Sequence, residues 1–316
     1  MEVEITNMGI LDVIKNGKDI AGAAARASDQ ILRLDDKTRR DYQMYLLDIY
    51  KDIKKVCDQY GIKLYVIGGT ALGAVRHHGF IPWDDDIDIS MTRDSFDLFK
   101  VAFEKELSDK YILNAPNYSP ICYRRFPIIL KKDSYYKGIA DSNNAELNHI
   151  SIDLFLIENT PDNQFVRTLK GHGCNFIFLV SSAVYFFENR SDEVKRFYWQ
   201  AGRKGRANYA IKTCAGAVFS FMSSSKWFCL ADKAVQWKRP SDNCCMATGR
   251  KRYLGEIMKR EQWFPGVEAD FEGEKVLIFS DYDYYLRNLY HDYMVIPPEG
   301  EREIHSLCEI KFSLID

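Results

Sequence analysis

The sequence has no excess of positive charge, because 43 lysines and arginines are balanced by 45 aspartates and glutamates, for a net charge of −2. This balance excludes the strongly basic surface expected of a general nucleic-acid-binding protein. The sequence also lacks an apolar run long enough for a transmembrane helix, since the longest nearly apolar stretch, 176–187, has 12 residues where about 20 are needed. We interpret that stretch as a buried helix, with a helix that faces a membrane or a lipid acceptor as the alternative.

The first residues, MEVEITNMGILDVIKNGKD, contain neither the basic segment nor the apolar segment of a secretory signal. Eight cysteines are present, but none of them forms a CxxC pair. We therefore expect reduced thiols and a cytoplasmic protein. Peripheral contact with the inner face of the membrane is a further expectation.

The hydrophobic pattern is typical of a globular chain of about two domains, with 46% hydrophobic residues among 316. Apolar residues recur at three- and four-residue steps over 38–60, which predicts an amphipathic helix. From about 165 to 235 the pattern is helical and apolar, which indicates a helical insertion or a second subdomain. The other predicted elements are strands at 63–67, 86–91, 124–130 and 150–157 and helices at 8–33, 71–76, 95–107 and 281–293.

Four carboxylates lie within five residues, at Asp84, Asp85, Asp86 and Asp88. Like charges this close repel one another, and a bound divalent cation removes that conflict. Side chains at i and i+2 of a strand point to the same face, so Asp86 and Asp88 can converge on one ion while the intervening isoleucines face a core. Carboxylate oxygens suit Mg²⁺ or Mn²⁺. A solvated acidic turn is the alternative, and it fits poorly because the acids alternate into an apolar strand.

A further acid, Asp153, lies inside the apolar run 152–156. Burial of a carboxylate there is costly unless it is paired or bound to a metal. A site built for phosphoryl transfer would take such an acid from a neighbouring strand, and Asp153 fits that role. An ordinary hydrogen-bonded acid at a sheet edge is the alternative.

Gly68-Gly69-Thr70 joins a predicted strand to a predicted helix. Glycines let a phosphate approach the backbone, and the N-terminus of a helix attracts anions. The turn is neither a P-loop nor a dinucleotide-binding fingerprint, because GxxxxGKS/T and GxGxxG are both absent. Arg76 and His77 follow the turn and are candidates to clamp a phosphate. A surface role is the alternative for the histidine.

The run from Gly68 to Ile89, GGTALGAVRHHGFIPWDDDIDI, resembles the signature of the LicD-type phosphotransferases, a family related to fukutin and fukutin-related protein. Two later stretches add to the resemblance, since 150–155 is similar to the strand that carries the family's third acid and 271–298 is similar to its closing segment. In all, the resemblance covers about 40–160 and 250–305.

The chain departs from the family at Tyr290-His291-Asp292, where members often read YGD, and at 154–158, where they often read IFPLD. The resemblance implies a nucleotidyltransferase-like α/β (α+β) fold, in which a mixed β-sheet carries the acids on adjacent strands and is flanked by helices. The implied segments are an N-terminal helical segment (1–37), a catalytic core (38–164), a helical insertion (165–235) and a C-terminal part that completes the domain (236–316).

The resemblance also implies an activity, the metal-dependent transfer of a phospho-alcohol group from a CDP-linked donor to a hydroxyl of a cell-surface glycan or glycolipid, with release of CMP. Family members typically use CDP-choline and transfer phosphocholine, whereas fukutin relatives use CDP-ribitol. By carry-over, the catalytic and metal-binding set is Asp86, Asp88 and Asp153, with Mg²⁺ or Mn²⁺ as the metal and Asp84 as an outer ligand. The expected contacts of the donor phosphates are Gly68, Gly69, Thr70, Arg76 and His77.

In the implied mechanism, Asp153, or a water that it orients, accepts the proton of the acceptor hydroxyl. Choline would require an aromatic cage, because a quaternary ammonium binds against ring faces. A place in the core is the alternative for every aromatic residue. The head-group candidates by residue type are Trp83, Tyr123, Trp237, Trp263, Tyr284 and Tyr285.

Two other functions remain open from the sequence. The same fold could serve a nucleotidyltransferase that moves NMP from an NTP to a small molecule or a protein, in which case pyrophosphate is released instead of CMP. The chain could also be a non-catalytic partner in glycan assembly whose acids bind metal for structure. Full activity of a variant with both Asp86→Asn and Asp88→Asn would favour that second function.

Overall fold

The computed structural model describes residues 17–302 and 306–312. The predicted helix 8–33 is observed from residue 17 to residue 27, and its earlier part lies outside the described residues. The helices are α1 (Gly17–Ala27), α2 (Asp36–Gln59), α3 (Gly68–His77), α4 (Arg93–Glu106), α5 (Gln164–Glu188), α6 (Asp192–Gln200), α7 (Gly202–Phe219), α8 (Ser224–Val235), α9 (Arg252–Gly255), α10 (Arg260–Trp263) and α11 (Tyr282–Tyr290). The strands are β1 (Tyr65–Val66), β2 (Asp88–Thr92), β3 (Tyr111–Asn114), β4 (Ile128–Lys131), β5 (Tyr135–Gly138), β6 (Ser151–Thr160), β7 (Asn243–Cys245), β8 (Ile257–Lys259), β9 (Val267–Phe271), β10 (Glu274–Ile278) and β11 (Leu307–Lys311).

The main sheet has the strand order β3-β4-β6-β2-β1-β10-β9, and β7 extends it by pairing with the end of β6 and with β8. The pairs β2–β6 and β1–β10 are parallel, and the other neighbours are antiparallel. Strand β11 pairs with β5 in a separate two-stranded sheet. The predicted α/β fold, a mixed sheet flanked by helices, is therefore confirmed.

Helix α2 packs its predicted apolar face into the main core, where Leu46, Ile53 and Cys57 are fully buried. Burial of each large apolar side chain contributes about 1.5–3 kcal/mol to folding. The carboxylate of Asp35 accepts a hydrogen bond from the Thr38 N–H at 2.9 Å and caps the helix. Because of this cap, the helix begins two residues earlier than the hydrophobic pattern predicted.

Strand β2 begins at Asp88, whereas the sequence predicted a strand from residue 86. Asp86 therefore lies in the turn before the strand and not within it. The expected alternation is nevertheless present, because Ile87 and Ile89 are 1% and 0% exposed while the aspartates are partly exposed. The isoleucines hold the turn against the core and direct the acids away from it.

Strand β4 begins at Ile128, whereas the prediction placed its start at residue 124. Pro127 precedes it and has no N–H to donate to a neighbouring strand, although its carbonyl accepts a hydrogen bond from the Leu154 N–H at 2.9 Å. Arg124 and Arg125 consequently lie in an irregular segment at the edge of the sheet.

The segment predicted to be helical, 165–235, forms helices α5 to α8. The nearly apolar stretch 176–187 lies within α5, which buries Phe178 and Val184 but leaves Phe176 56% exposed. Across the part of the chain that the structure describes, no helix is both long and apolar enough to cross a bilayer.

A buried ionic cluster joins these helices to the sheet. The Arg93 guanidinium donates to the Glu158 carboxylate on β6 and to Asp232 Oδ1 on α8, the latter at 2.7 Å. Asn117 Nδ2 donates to the second oxygen of Asp232 at 2.8 Å. Both acids are nearly inaccessible to solvent, so each depends on these partners.

Candidate functional site

A cavity of about 270 Å³ opens where β1, β2 and β6 meet the N-terminus of α3. We call it the arginine cavity, because three arginines form one wall opposite the predicted acids. Its polar wall consists of Gly68, Gly69, Asp84, Asp86, Asp88, Asp153, Arg125, Thr248, Gly249, Arg250, Arg252, Glu256, Tyr285 and Tyr290.

Asp88 and Asp153 lie opposite each other on the neighbouring parallel strands β2 and β6. Paired residues of a sheet present their side chains on the same face, so the two carboxylates leave the sheet side by side. The two residues that flank Asp153 on β6 are fully buried on the other face. Asp84 and Asp86 reach the same cavity from the turn before β2. The structure thus gathers all four of the acids predicted to bind metal.

The glycine turn lies directly against these acids. Gly68 has a φ of +56°, and a Cβ there would lie 3.1 Å from Asp88 Oδ2. A Cβ at Gly69 would lie 2.7 Å from Asp84 Oδ2, which is closer than real Cβ contacts. The Gly68 N–H donates to the Tyr285 hydroxyl at 3.2 Å. Both positions therefore require glycine, because a side chain would displace a carboxylate.

Thr70, Arg76 and His77 contact other parts of the protein instead of the arginine cavity. The Thr70 hydroxyl accepts a hydrogen bond from the Asp88 N–H at 2.9 Å, so it positions the start of β2. The Arg76 guanidinium donates to the Tyr293 carbonyl at 2.5 Å. His77 meets the Trp83 ring edge-on, and burial together with Arg76 lowers the pKa of its imidazole. These three residues support the turn and the C-terminal segment.

Most of the aromatic head-group candidates also lie elsewhere. Trp263 is fully buried and packs on Phe279, so its ring belongs to the core. Trp83 lies under the Arg302 guanidinium, 4.2 Å from its ring centroid, and Trp237 packs against Lys170. Both rings therefore pack against cationic side chains of the protein itself.

The other three candidates have three different environments. Tyr284 is 49% exposed on α11, and Tyr123 is partly buried against the cluster of Ile128, Leu130 and Leu147. Tyr285 does line the arginine cavity, where its hydroxyl accepts the hydrogen bond from the glycine turn.

The arginine wall was missed by the sequence reasoning. Arg125 Nε is buried and has no hydrogen-bond partner among the described residues. Burial, then Arg252 and Arg124, lowers the pKa of the Arg125 guanidinium to about 10. Burial disfavours the charged form of this guanidinium, so an anion that enters the cavity would stabilise it. The sequence signals were two basic runs, Arg124-Arg125 and Arg250-Lys251-Arg252, and neither belongs to a motif.

The donor set of the acidic wall suits a hard cation. Within 17–302 and 306–312, no group of three or more His, Cys, Asp or Glu side chains is arranged to hold a metal ion by itself. Mg²⁺ is usually bound through one or two carboxylates plus substrate phosphates and seldom by a cage made only of protein. The oxygen ligands of Asp86, Asp88 and Asp153 therefore fit an ion that binds together with a phosphorylated ligand.

Comparison with known proteins gives independent evidence of the family. Residues 61–181 match the family model described as LicD/FKTN/FKRP, nucleotidyltransferase domain. The chain is 25% identical over 276 residues to the lipopolysaccharide cholinephosphotransferase LicD of Haemophilus influenzae, which covers 86% of this chain and 97% of that protein.

Two rickettsial proteins without a known function match shorter stretches. An uncharacterized protein of Rickettsia typhi is 43% identical over 152 residues, which is 48% of this chain and 38% of that protein. An uncharacterized protein of Rickettsia prowazekii is 37% identical over 68 residues, which is 20% of this chain and 26% of that protein. With the match over 61–181, these similarities show that the chain resembles the LicD family, and over 61–181 the nucleotidyltransferase domain of that family in particular.

Proposed function

We propose that this protein transfers phosphocholine from a CDP-linked donor to a hydroxyl of a cell-surface glycan or glycolipid, such as lipopolysaccharide, and releases CMP. The relative from Haemophilus influenzae, a lipopolysaccharide cholinephosphotransferase that aligns along 86% of this chain, supports the reaction. The observation that carries the proposal is the pairing of Asp88 with Asp153 beside the glycine turn, in a cavity that Arg125 also lines. A diphosphate needs both a site for a cation and positive charge from the protein.

A divalent metal, Mg²⁺ or Mn²⁺, would be held by Asp86 and Asp88, with Asp153 beside them and Asp84 as an outer ligand. When bound, it would supply neutralisation of the charge on the donor diphosphate. Mg²⁺ is usually bound through one or two carboxylates plus substrate phosphates, so the metal and the diphosphate should bind together.

The remaining steps belong to the protein's own residues. Arg125 and Arg252 bind phosphate oxygens, and the backbone at Gly69 lets the donor approach the N-terminus of α3. Asp153 accepts the proton of the acceptor hydroxyl while the hydroxyl oxygen of the acceptor forms a bond to the choline-bearing phosphorus. The bond from that phosphorus to the CMP oxygen breaks, and CMP leaves with the electron pair. Catalysis of this kind is mainly positioning and electrostatic stabilisation.

The products distinguish this reaction from NMP transfer. Purified protein is incubated with Mg²⁺, acceptor glycolipid and either CDP-choline or CTP, and the nucleotide products are separated. The proposal predicts CMP from CDP-choline, in equal amount to the phosphocholine on the acceptor, and no pyrophosphate from CTP. Release of pyrophosphate would instead establish the nucleotidyltransferase. Absence of both, with acceptor present, would favour the non-catalytic partner.

A cytoplasmic enzyme with peripheral membrane contact would suit a glycolipid acceptor. Exposed apolar side chains on α5 and after α7 support this, with Phe165 77%, Leu169 66% and Phe221 78% exposed. Flotation with vesicles that contain the acceptor should recover the protein, and serine at both Phe165 and Phe221 should reduce recovery severalfold. Equal recovery of both proteins would contradict the membrane contact.

A further inference from the structure

A second cavity of about 280 Å³ lies beside the arginine cavity, and we call it the tyrosine cavity. Asp86 and Asp153 belong to the walls of both cavities, so these two acids separate them. The characteristic members of the second wall are Tyr42, Tyr136, Asp85, Asp141, Arg124 and His149.

Residues that are close together in the chain line different cavities. On β6, Ser151 and Asp153 line the tyrosine cavity, while Asp153 and Phe155 line the arginine cavity. Residues two apart on a strand lie about 6.5 Å apart on the same face, so one small ligand can reach across Asp153 into both. Arg124 and Arg125 are divided in the same way, one to each cavity. The arrangement suits a single ligand with two chemically different ends.

Among the described residues, four carboxylates and one guanidinium line the tyrosine cavity. Its arginine, Arg124, is already paired, because Nη1 donates to Asp141 Oδ1 at 3.1 Å and to the Tyr185 hydroxyl at 3.0 Å. Asp85, Asp86 and Asp153 add three further carboxylates to the wall.

Burial and the same aspartates raise the pKa of the phenol of both tyrosines in this cavity. The pKa of the Tyr136 phenol is raised by burial first, then by Asp85 and Asp86. The pKa of the Tyr42 phenol is raised by burial, then by Tyr136 and the same acids. The tyrosine cavity thus combines aromatic side chains with carboxylates.

Aromatic rings together with carboxylates bind quaternary ammonium groups, through ring faces and through charge. The arginine cavity has three arginines beside its five carboxylates, and the guanidinium groups suit the anionic part of a nucleotide. We propose that the tyrosine cavity binds the cationic head group of the donor, with Tyr136 as the head-group residue and Asp86 and Asp153 at the junction with the diphosphate. This inference rests on the proposed function, because it assigns the head group of that donor.

The test compares binding of CDP-choline, CDP-glycerol and CMP by calorimetry in Mg²⁺. Tyr136→Leu removes the ring from the tyrosine cavity, and Tyr136→Phe restores it. Tyr284→Leu makes the same change at an exposed tyrosine on α11. Tyr136→Leu should weaken CDP-choline about tenfold and leave CDP-glycerol and CMP within twofold, Tyr136→Phe should recover most of the affinity, and Tyr284→Leu should match the parent protein. Unchanged CMP affinity and an unchanged melting temperature show that each variant is folded.

Three outcomes would overturn the inference. Tyr136→Leu could leave CDP-choline affinity unchanged, or weaken CDP-choline and CDP-glycerol equally, or raise only the KM of the acceptor, which would assign the cavity to the acceptor. Free choline, followed by NMR line broadening, separates this inference from the proposed function because it needs no turnover. Choline binding that is lost in Tyr136→Leu supports the site even if CDP-choline is not a substrate, whereas turnover of CDP-choline without any effect of Tyr136→Leu leaves the function and removes the site.

Discussion

The two walls of the arginine cavity are built in different ways. The acidic wall stands on regular structure, since Asp88 and Asp153 are paired residues of adjacent strands. The opposite wall comes from irregular segments and a short helix start, where Arg125 lies before β4 and Arg252 begins α9 with a φ of +61°. The sheet therefore fixes the positions of Asp88 and Asp153, whereas the connecting segments place the arginines in the same cavity.

The largest effect is expected at the acidic wall. Asp153→Asn and Asp88→Asn should each lower the rate of CMP release from CDP-choline by about 10²–10⁴-fold, because the first removes the proton acceptor and the second a metal ligand. The melting temperature of each variant, recorded beside the rate, shows whether the fold is retained.

The matched control for these two variants is Asp97→Asn on α4, an exposed acid that pairs with Lys100 at 2.7 Å. Its rate should equal that of the parent protein. Rates of the Asp88 and Asp153 variants within threefold of the control would contradict the assignment of the acidic wall.

The second prediction compares the stability of variants at Arg93, which lies in the buried ionic cluster, and at Arg125, which lines the arginine cavity. Arg93→Gln should lower the free energy of unfolding by about 3–5 kcal/mol, because it leaves Glu158 and Asp232 buried without their charged partner. Arg125→Gln should leave the free energy of unfolding unchanged or higher, because burial and two neighbouring arginines disfavour the charged guanidinium and its buried Nε has no hydrogen-bond partner among the described residues.

The binding of CDP-choline should be weakened more by Arg125→Gln than by Arg93→Gln. Arg125→Gln should weaken the binding of CDP-choline about tenfold, the loss of a charge-assisted contact to phosphate. Urea unfolding and calorimetry measure the two quantities on the same samples. Equal destabilisation by Arg93→Gln and Arg125→Gln would show that Arg125 is structural and would remove it from the binding wall.

The smallest effect tests the contact between the glycine turn and the acids. Gly69→Ala places a Cβ 2.7 Å from Asp84 Oδ2 and should cost about 1–3 kcal/mol of stability and reduce activity. Gly173→Ala on α5 meets nothing within 4 Å and should stabilise the helix by up to about 1 kcal/mol. Thermal unfolding of both variants provides the comparison, and a stabilising Gly69→Ala would show that Asp84 can move away freely.

The acidic wall could be predicted from the sequence because its information is local. The strand, the glycine turn and the alternation of acids with Ile87 and Ile89 all lie within 63–92, and the acid of β6 stands out in an apolar run. The predicted start of β2 was wrong by two residues, because acids and buried isoleucines alternate both before and within the strand.

The arginine and tyrosine walls depend on contacts between distant parts of the chain. Tyr136 lies on β5, whose partner β11 is about 170 residues further along, and neither strand has a motif. Trp263 was a head-group candidate by type, but its packing on Phe279 and Tyr285 could not be read from its neighbours in the sequence. Such assignments need the tertiary structure.

The most direct test of the central claim measures whether metal and donor bind together at the acidic wall. The melting temperature is recorded with Mg²⁺ alone, with CDP-choline alone and with both, for the parent protein and for Asp88→Asn. The account predicts a rise of several degrees only when both are present, since ligands that bind the folded state stabilise it by mass action, and no such rise in the variant. The same rise without Mg²⁺, or in Asp88→Asn, would contradict it.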